Sequence, residues 1–446
     1  MKDKARYIAV KVLCDIDEKK AYSNIKLNLY FKKYDLQPID RAFATEIVYG
    51  TIRWKLKIDY LIQKFSKIPL NKIDIWALNS IRIAIYQIFF LDKVPHFAAV
   101  NESVELSKLK DKKLSGFVNG VLRSVLRNKE VFDKIEVKDE ITKLSIEYSH
   151  PEWFIKHFMK QFNGDFLKDL MAANNGSPNL TIRVNTLKCT RDELVEKLNN
   201  RGIDVKYGIL DDALIINEVF QLDKLEEFNK GLFFIQDISS MLVAHILNPR
   251  SGETILDMCA APGGKTTHLA QFMKNKGKIY AFDIYEHKLQ LINENAKRLG
   301  INIIEPLLKD ASIFNEEYIE KFDKILLDAP CSGLGLIRKK PEIRWNINLS
   351  DILELTKIQQ ILLENASRYL RIGGEMTYST CTISKEENED IINSFLSRNS
   401  NFELCDITNS VPEKMKSCVY NTGMIRLFPN EFDTDGFFIA KLKRKW

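Results

Sequence analysis

Residues 255–267 read ILDMCAAPGGKTT, an apolar strand that runs into Asp257 and then into a loop of small residues opening a helix. Ala260, Ala261, Gly263 and Gly264 carry almost no side-chain bulk, so a ligand can approach the backbone amides at the start of that helix. Pro262 stiffens the turn. In an open α/β sheet, ligands bind in the crevice beyond the carboxyl ends of the strands, so this position suits a nucleotide-like cofactor. Gly264-Lys265-Thr266 resembles the end of a GxxxxGKT phosphate loop, but the position five before Gly264 is Cys259, and no GxGxxG is present. For the loop taken alone, a purely structural turn stays open.

Working outward, strand and helix patterns alternate from Ser239 to Leu404, with strands expected at 254–258, 278–283, 304–308, 324–328, 375–379 and 402–405. This pattern predicts a Rossmann-like, doubly wound α/β sheet. MIRLFP and GFFIAKLK add two strands near the end. Asp257, Asp283, Asp310 and Asp328 are expected to end four successive strands in register and to face one crevice. Asp283 lies 20 residues after Gly263, where an acidic residue can accept hydrogen bonds from ribose hydroxyls. With no basic cluster for phosphates, the crevice suits a nucleoside carrying a positive group, and S-adenosylmethionine is such a molecule.

Cys331, in APCSGLG, and Cys381, in TCTISKEENE, fall just beyond strand ends on the ligand side. A thiol of pKa about 8.5 is only about a few per cent thiolate at pH 7, so a nucleophile needs help. Ser384 and Glu387 read as a capping box for a helix starting just past Cys381, whose N-terminus would favour the anion. Either cysteine alone could be a small buried hydrophobe; two at corresponding strand ends beside a cofactor loop point to chemistry. The seven cysteines form no CxxC pair, so neither a disulfide framework nor a metal site is expected.

At 446 residues the chain has room for several domains. Its apolar runs, such as 81–91, are broken by Arg82 and Gln87 and fall short of a membrane span. The opening MKDKARYIAVKVL lacks a signal-peptide core, so a cytoplasmic protein is expected. Residues 1–130 hold 25 Lys/Arg against 14 Asp/Glu, whereas the remainder is net negative. A nucleic-acid partner or a lysine-rich solvated surface would each account for that excess.

The basic part reads as a bundle, with helices expected at 5–16, 42–54, 73–90, 98–109 and 116–127 and with Trp54, Trp76 and Phe97 as core residues. Residues 134–139 read as a linker, and 141–173 as helical with Pro151 at a helix start. From Leu180 a small α+β, ferredoxin-like module is expected: a strand at 181–187, a Thr190/Glu193 capping box opening a helix over 193–200, and strands at 205–207, 214–217 and 232–236. It lacks the aromatic signature of RNA-recognition sheets.

VPHFAAVNESVELSK (94–108) and FVNGVLR (117–123) resemble the NusB-like RNA-binding domain. DMCAAPGGKT, FDI, KDA, DAPCSGLG and STCTISKEENE, in that order, resemble the RNA cytosine carbon-5 methyltransferases. With the NusB-like start, the whole chain is similar to the RsmB (Sun, Fmu) type of bacterial 16S ribosomal RNA methyltransferase. The resemblance implies a NusB-like domain at 1–130, a linker and helical segment at 131–179, an α+β RNA-binding module at 180–236 and an S-adenosylmethionine-dependent catalytic domain at 237–446. It gives the attack on carbon-6 of cytosine to Cys381, charge stabilisation to Asp328 and Lys265, and product release to Cys331. Cys259, Ala260, Ala261, Pro262, Gly263, Gly264 and Lys265 would line the cofactor, Asp283 would hold its ribose, Asp310 would lie by the adenine, and Asp328 would border both substrates.

The implied partner is 16S ribosomal RNA at a hairpin loop, bound by a monomer with no metal and no membrane. Arg338, Lys339, Arg344 and Trp345 are candidates to grip the RNA, against a plain surface loop. Rival readings are the same chemistry on transfer RNA or 23S ribosomal RNA, and a NusB-like binding factor with an inactive methyltransferase domain. A DNA cytosine methyltransferase would use Cys331 of the Pro-Cys pair, and the TC motif at Cys381 argues against it. An exocyclic amino methyltransferase would need a D/N-P-P-Y/F loop, which DAPC does not match.

Overall fold

Helical periodicity governs the first 176 residues, and the computed structural model, which describes residues 3–216 and 222–446, forms helices there throughout. They are Lys4–Lys19, Ser23–Tyr34, Pro38–Arg53, Lys55–Phe65, Ile75–Phe90, His96–Lys110 and Leu114–Arg127, followed by Glu140–Tyr148, Glu152–Phe158 and Gly164–Asn174. Ile75–Phe90 is the central one, buried along most of its length. The Asp74 carboxylate caps it by accepting from the Trp76 and Ala77 amides. Its one buried cation, Arg82, donates to Asp59 at 2.7 and 2.8 Å and to Asp17 at 2.7 Å. That satisfies a charge that would be costly in an apolar bundle if unpaired.

Trp54 stacks on Phe90 at 5.0 Å, and the Trp76 indole donates to the Leu106 carbonyl at 2.9 Å, so both pack as expected. Phe97 does not. It sits in the first turn of His96–Lys110 and is 69% exposed.

The chain divides into two units, and the first takes in Ile337–Asn348 besides the residues through Gly176. That segment corrects the expectation of an RNA grip. The Arg344 guanidinium is buried and donates to the Ser149 carbonyl and Asn175 Oδ1, both at 2.9 Å, and to the Asn174 carbonyl at 3.2 Å. Trp345 donates to the Ile52 carbonyl at 2.9 Å, and Arg338 is buried. Glu342 accepts from the Ser23 amide at 3.0 Å and its hydroxyl at 2.9 Å. Helix ends in this unit leave carbonyls and amides that these side chains satisfy.

The second unit, Ser177–Leu336 with Leu349–Trp446, holds two sheets. The smaller is antiparallel, in the order β2-β3-β1-β4, from β1 (Leu180–Val184), β2 (Val205–Tyr207), β3 (Ala213–Ile216) and β4 (Phe233–Ile235). The Thr190/Glu193 capping box opens the helix Arg191–Asn199 as expected. Asn217, the expected last residue of the third strand, lies outside the described residues.

The larger sheet comprises β5 (Thr254–Asp257), β6 (Lys278–Asp283), β7 (Ile304–Leu308), β8 (Phe322–Asp328), β9 (Leu370–Thr380), β10 (Phe402–Leu404), β11 (Val419–Tyr420), β12 (Met424–Leu427) and β13 (Phe437–Arg444). Its order is β11-β12-β13-β9-β8-β5-β6-β7, with β10 on β13. The run β9-β8-β5-β6-β7 is parallel, and β13 enters antiparallel beside β9. Helices cover both faces over two apolar clusters, one around Met241, Ile255 and Leu269 and the other around Leu256, Ile325 and Tyr378. This is the doubly wound architecture that the alternation predicts. Among the described residues no helix is long and apolar enough to cross a membrane.

Candidate active site

Strand β5 pairs Asp257 with Ala281 of β6 and with Leu326 of β8, so Asp283 and Asp328 each stand two residues further out. The expected row of four aspartates is therefore staggered. Asp257 lies deepest and is fully buried. Asp310 does not end its strand, since β7 stops at Leu308; it is exposed and accepts from the Ser312 amide at 2.9 Å and hydroxyl at 2.6 Å, an Asx turn.

The loop after β5 is built for close approach. Gly263 has φ 95°, a conformation L side chains rarely adopt, and it caps the helix Gly264–Phe272 while donating its amide to the Ala260 carbonyl at 2.8 Å. A Cβ on Gly264 would lie 3.1 Å from the Phe234 ring. Asp257 accepts from the Thr266 hydroxyl at 2.7 Å, which ties the strand end to the helix. Its other oxygen is buried without a partner. Burial pushes the Asp257 carboxyl up to about 7, against the Thr266 hydroxyl and with a further push from Asp328. Burial and then the three neighbouring aspartates push the Cys259 thiol well up, so it lines the site as a neutral group.

At the second level, Asp283 uses one carboxylate oxygen for the Tyr285 amide at 3.1 Å. Among the described residues its other oxygen has no hydrogen-bond donor, an arrangement suited to a hydroxylated ligand. Ile284 and Leu308, at the ends of the adjacent β6 and β7, are each more than half exposed, an apolar pair the sequence reading did not single out. Small loop, orphaned carboxylate oxygens and apolar strand ends fit a nucleoside and not a polyphosphate.

Asp328 ends β8 at the same outer level. It accepts from Lys265 Nζ at 2.7 Å and from the Ser379 hydroxyl at 2.8 Å, and the Lys265 ammonium lies 5.2 Å from the Phe437 ring centroid. Burial works against the Lys265 charge, but Asp328, with Cys381 and Asp257, more than offsets it and raises the pKa. Register pairs Asp328 with Ser379, so the loops after β8 and β9 emerge side by side and bring Cys331 Sγ to 3.3 Å from Cys381 Sγ. The hydrogen bond with Cys381, then burial, push the Cys331 thiol far up, so Cys331 holds its proton.

The capping box expected at Ser384 and Glu387 is not formed. Cys381 is followed by the short 3-10 turn Lys385–Glu387 and then the helix Glu389–Arg398, and the Glu387 side chain turns inward. A third loop closes the site: Gly335 donates to the Cys381 carbonyl at 3.0 Å and Gly436 to the Gly335 carbonyl at 2.9 Å. A Cβ on Gly335 would fall 1.8 Å from the Gly436 oxygen, so only glycine fits.

Two supporting groups escaped the sequence reading. Buried Arg183 of β1 donates to the Gly264 carbonyl at 2.7 Å and to the Thr267 hydroxyl at 2.9 Å, fastening the small sheet to the cofactor loop. Behind the same helix, Asp212 oxygens lie 2.6 Å from His268 Nε2 and 3.0 Å from His245 Nε2. These three could meet at a metal, yet the contacts are hydrogen-bonding ones; burial lowers His268 to about 3, which keeps it neutral. A lone basic-looking residue in a strand gives no sign of its long-range partner.

Residues 244–443 match the model of the family described as 16S rRNA methyltransferase RsmB/F, 3–127 that of the NusB family, and 150–223 that of the RsmF/B-like ferredoxin-like domain. The solved structure titled "Crystal Structure of PH0851" is similar over 100% of both chains, with TM-score 0.83 and 31% identity. The structure of NSun6 from Pyrococcus horikoshii with SFG is 26% identical and covers 66% of this chain and 98% of that one, with TM-score 0.58. "Probable ribosomal RNA small subunit methyltransferase B" of Bacillus subtilis (strain 168) is 38% identical over 100% of this chain and 99% of that protein. A relative this similar from end to end, over a site built for a nucleoside beside two thiols, means that the chain belongs to the 16S rRNA methyltransferase RsmB/F family.

Proposed function

We propose that the protein methylates carbon-5 of a cytosine in 16S ribosomal RNA through a covalent adduct between Cys381 and carbon-6 of the base. The observation that carries this reading is the pair of thiols, 3.3 Å apart, beside the Lys265–Asp328 ion pair at 2.7 Å. The cofactor is S-adenosylmethionine, which when bound supplies an electrophilic methyl group. Cys259–Lys265 would line it, with Asp283 on the ribose hydroxyls and Asp310, Ile284 and Leu308 toward the adenine.

Carbon-5 of cytosine is a weak nucleophile, so the ring is first activated by covalent addition. Cys381 gives up its thiol proton to solvent and its sulfur bonds carbon-6, and the electron pair displaced from the carbon-5–carbon-6 double bond makes carbon-5 nucleophilic. The Lys265–Asp328 pair meets the charge that develops toward ring nitrogen 3. Once carbon-5 carries its methyl group, the carbon-5 proton passes to solvent while the Cys331 thiol donates a hydrogen bond to the departing Cys381 sulfur. The C–H pair then restores the double bond, and the carbon-6–sulfur bond breaks with its electrons returning to Cys381.

The target base must leave its stack to reach a thiol, so a hairpin loop is the expected substrate. The helical residues 1–130 and the module at 180–236 would engage RNA, with 131–179 joining them and 237–446 carrying the chemistry, in a monomer that uses no metal and works in the cytoplasm. Transfer of tritiated methyl groups to unmodified small-subunit RNA, followed by mapping of the modified base, tests the reading. Cys331→Ala is expected to accumulate a covalent RNA adduct and Cys381→Ala to give none; the reverse pattern overturns the assignment of roles.

A further inference from the structure

Cys331 and Cys381 both lie past the last rung of their strands, where the sheet no longer fixes them. The final ladder bond is the Ala329 amide to the Ser379 carbonyl at 2.9 Å. Beyond it, one buried carboxylate takes over. Glu387 Oε1 accepts from the Ser332 amide at 2.8 Å and from Gln359 Nε2 at 3.2 Å, while Oε2 accepts from the Ser332 hydroxyl at 2.5 Å and the Thr382 hydroxyl at 3.0 Å. Ser332 follows Cys331 and Thr382 follows Cys381, and the two hydroxyls are themselves 2.8 Å apart. The donors come from three elements: the loop after β8, the loop after β9 and the helix Leu349–Tyr369, whose Gln359 also donates to the Pro330 carbonyl at 2.9 Å.

We propose that Glu387 is a positioning residue for the methyl transfer, its carboxylate clamping the residues that follow the two cysteines and so holding the thiols in contact. The inference rests on the carbon-5 reading above and goes beyond it by naming a group that touches neither substrate. Four donors around one carboxylate call for the ionised form, although burial pushes its pKa up. Tyr378, whose hydroxyl donates to the Glu387 carbonyl at 2.7 Å, keeps the backbone of the clamp in place.

The clamp has an electrostatic consequence as well as a geometric one. The groups facing Cys331 are Cys381 at the end of β9, Glu387 in the turn, Asp328 at the end of β8 and Tyr378 within β9, with Lys265 paired to Asp328. Glu387 and Asp328 add to the hydrogen bond with Cys381 and to burial in keeping Cys331 protonated. A Cys331 that keeps its proton can donate its S–H across the 3.3 Å contact once the Cys381 sulfur attacks.

The test is Glu387→Gln in the full-length protein, which keeps the volume, removes the charge and turns an NH₂ toward groups that are donors. Without RNA, alkylation of Cys331 by iodoacetamide, located by peptide mass, is followed against pH. Its midpoint is expected to fall, making alkylation at pH 8 several-fold faster. With small-subunit RNA, turnover is expected to fall on the order of 10- to 100-fold at unchanged KM for RNA and unchanged cofactor affinity. An unchanged alkylation profile or an unchanged turnover overturns the proposal.

Ser332→Ala provides the second arm because it keeps the charge and removes one bond of the clamp. It is expected to leave the alkylation profile in place and to slow turnover several-fold, and wild-type turnover in this variant also overturns the clamp. Absence of any RNA adduct in the wild-type protein would instead sink the carbon-5 reading, and the alkylation arm, which needs no RNA, separates the two failures.

Discussion

Replacing Asp257 by asparagine should make the protein more stable at alkaline pH and less useful as an enzyme. The carboxyl has an ordinary value of 3.8 and is raised to about 7 in the folded protein, first by burial. That gap of roughly three units, at ~1.4 kcal/mol per unit, means that ionised Asp257 costs the fold about 4 kcal/mol at pH 8. Because the folded value lies above the unfolded one, the contribution is fully present below pH 3.8 and is lost as pH rises to about 7. Asparagine does not titrate. It can still accept from Thr266, though without charge assistance, a loss of about 1 kcal/mol. The stability difference between the variant and the wild type should therefore widen in the variant's favour by about 2.5 kcal/mol from pH 5 to pH 8.

For a unit of this size that is about 5 °C in Tm, measured by thermal unfolding of both proteins at each pH, where the subtraction cancels every other titrating group. A difference that stays constant between pH 5 and pH 8 would refute the account of Asp257 as a buried, unrelieved charge. A cationic ligand relieves such a charge, so S-adenosylmethionine should raise the wild-type Tm more at pH 8 than at pH 5, and asparagine should abolish that contrast.

Lys265→Met removes the partner of Asp328 and a cation that interacts with Cys381, and is expected to lower turnover on the order of 10²-fold in single-turnover methyl transfer, with the base poorly stabilised in the adduct. Gly335→Ala drives a Cβ against the Gly436 carbonyl, backbone against backbone, so the loop after Cys331 must part from its neighbour; a loss of about 1–3 kcal/mol in unfolding and of most activity is expected. Arg344→Ala should destabilise the helical unit by about 3 kcal/mol or more, read as an earlier transition in calorimetry, because buried carbonyls lose their charged donor. Lysine at that position should not restore stability, since it cannot reach both Ser149 and Asn174 with one ammonium group.

The parts of the fold that rest on local chemistry were legible in the sequence. The bounds of β6, the Thr190/Glu193 box and the small-residue loop at Ala260–Gly264 follow from periodicity, capping and bulk over a few residues. The stagger of the aspartates was not, because it depends on the register of β5 against β6 and β8, set by packing across strands distant in sequence. Glu387 carried a misleading local signal: a serine three residues before a glutamate is the pattern of a helix cap, and only the approach of the loop bearing Ser332, some fifty residues earlier, turned the side chain inward. Arg344 and Trp345 looked like surface residues for the same reason, since their partners lie in helices more than 160 residues away. Spacing alone makes Asp310 a strand end, whereas it starts the turn after β7.

The segment Ile337–Asn348 also sets an order of events at birth. The helical unit leaves the ribosome first, yet Ser23, Ile52, Ser149 and Asn174 receive their partners only after Asn348 has been made. Until then the nascent helices carry unpaired backbone carbonyls where Arg344 and Trp345 will dock, so the N-terminal unit is expected to stay open to proteases and chaperones for the 172 further residues of synthesis from Gly176 to Asn348. A polypeptide ending at Gly176 would remain in that state, and a peptide spanning 337–348 added in trans should tighten it.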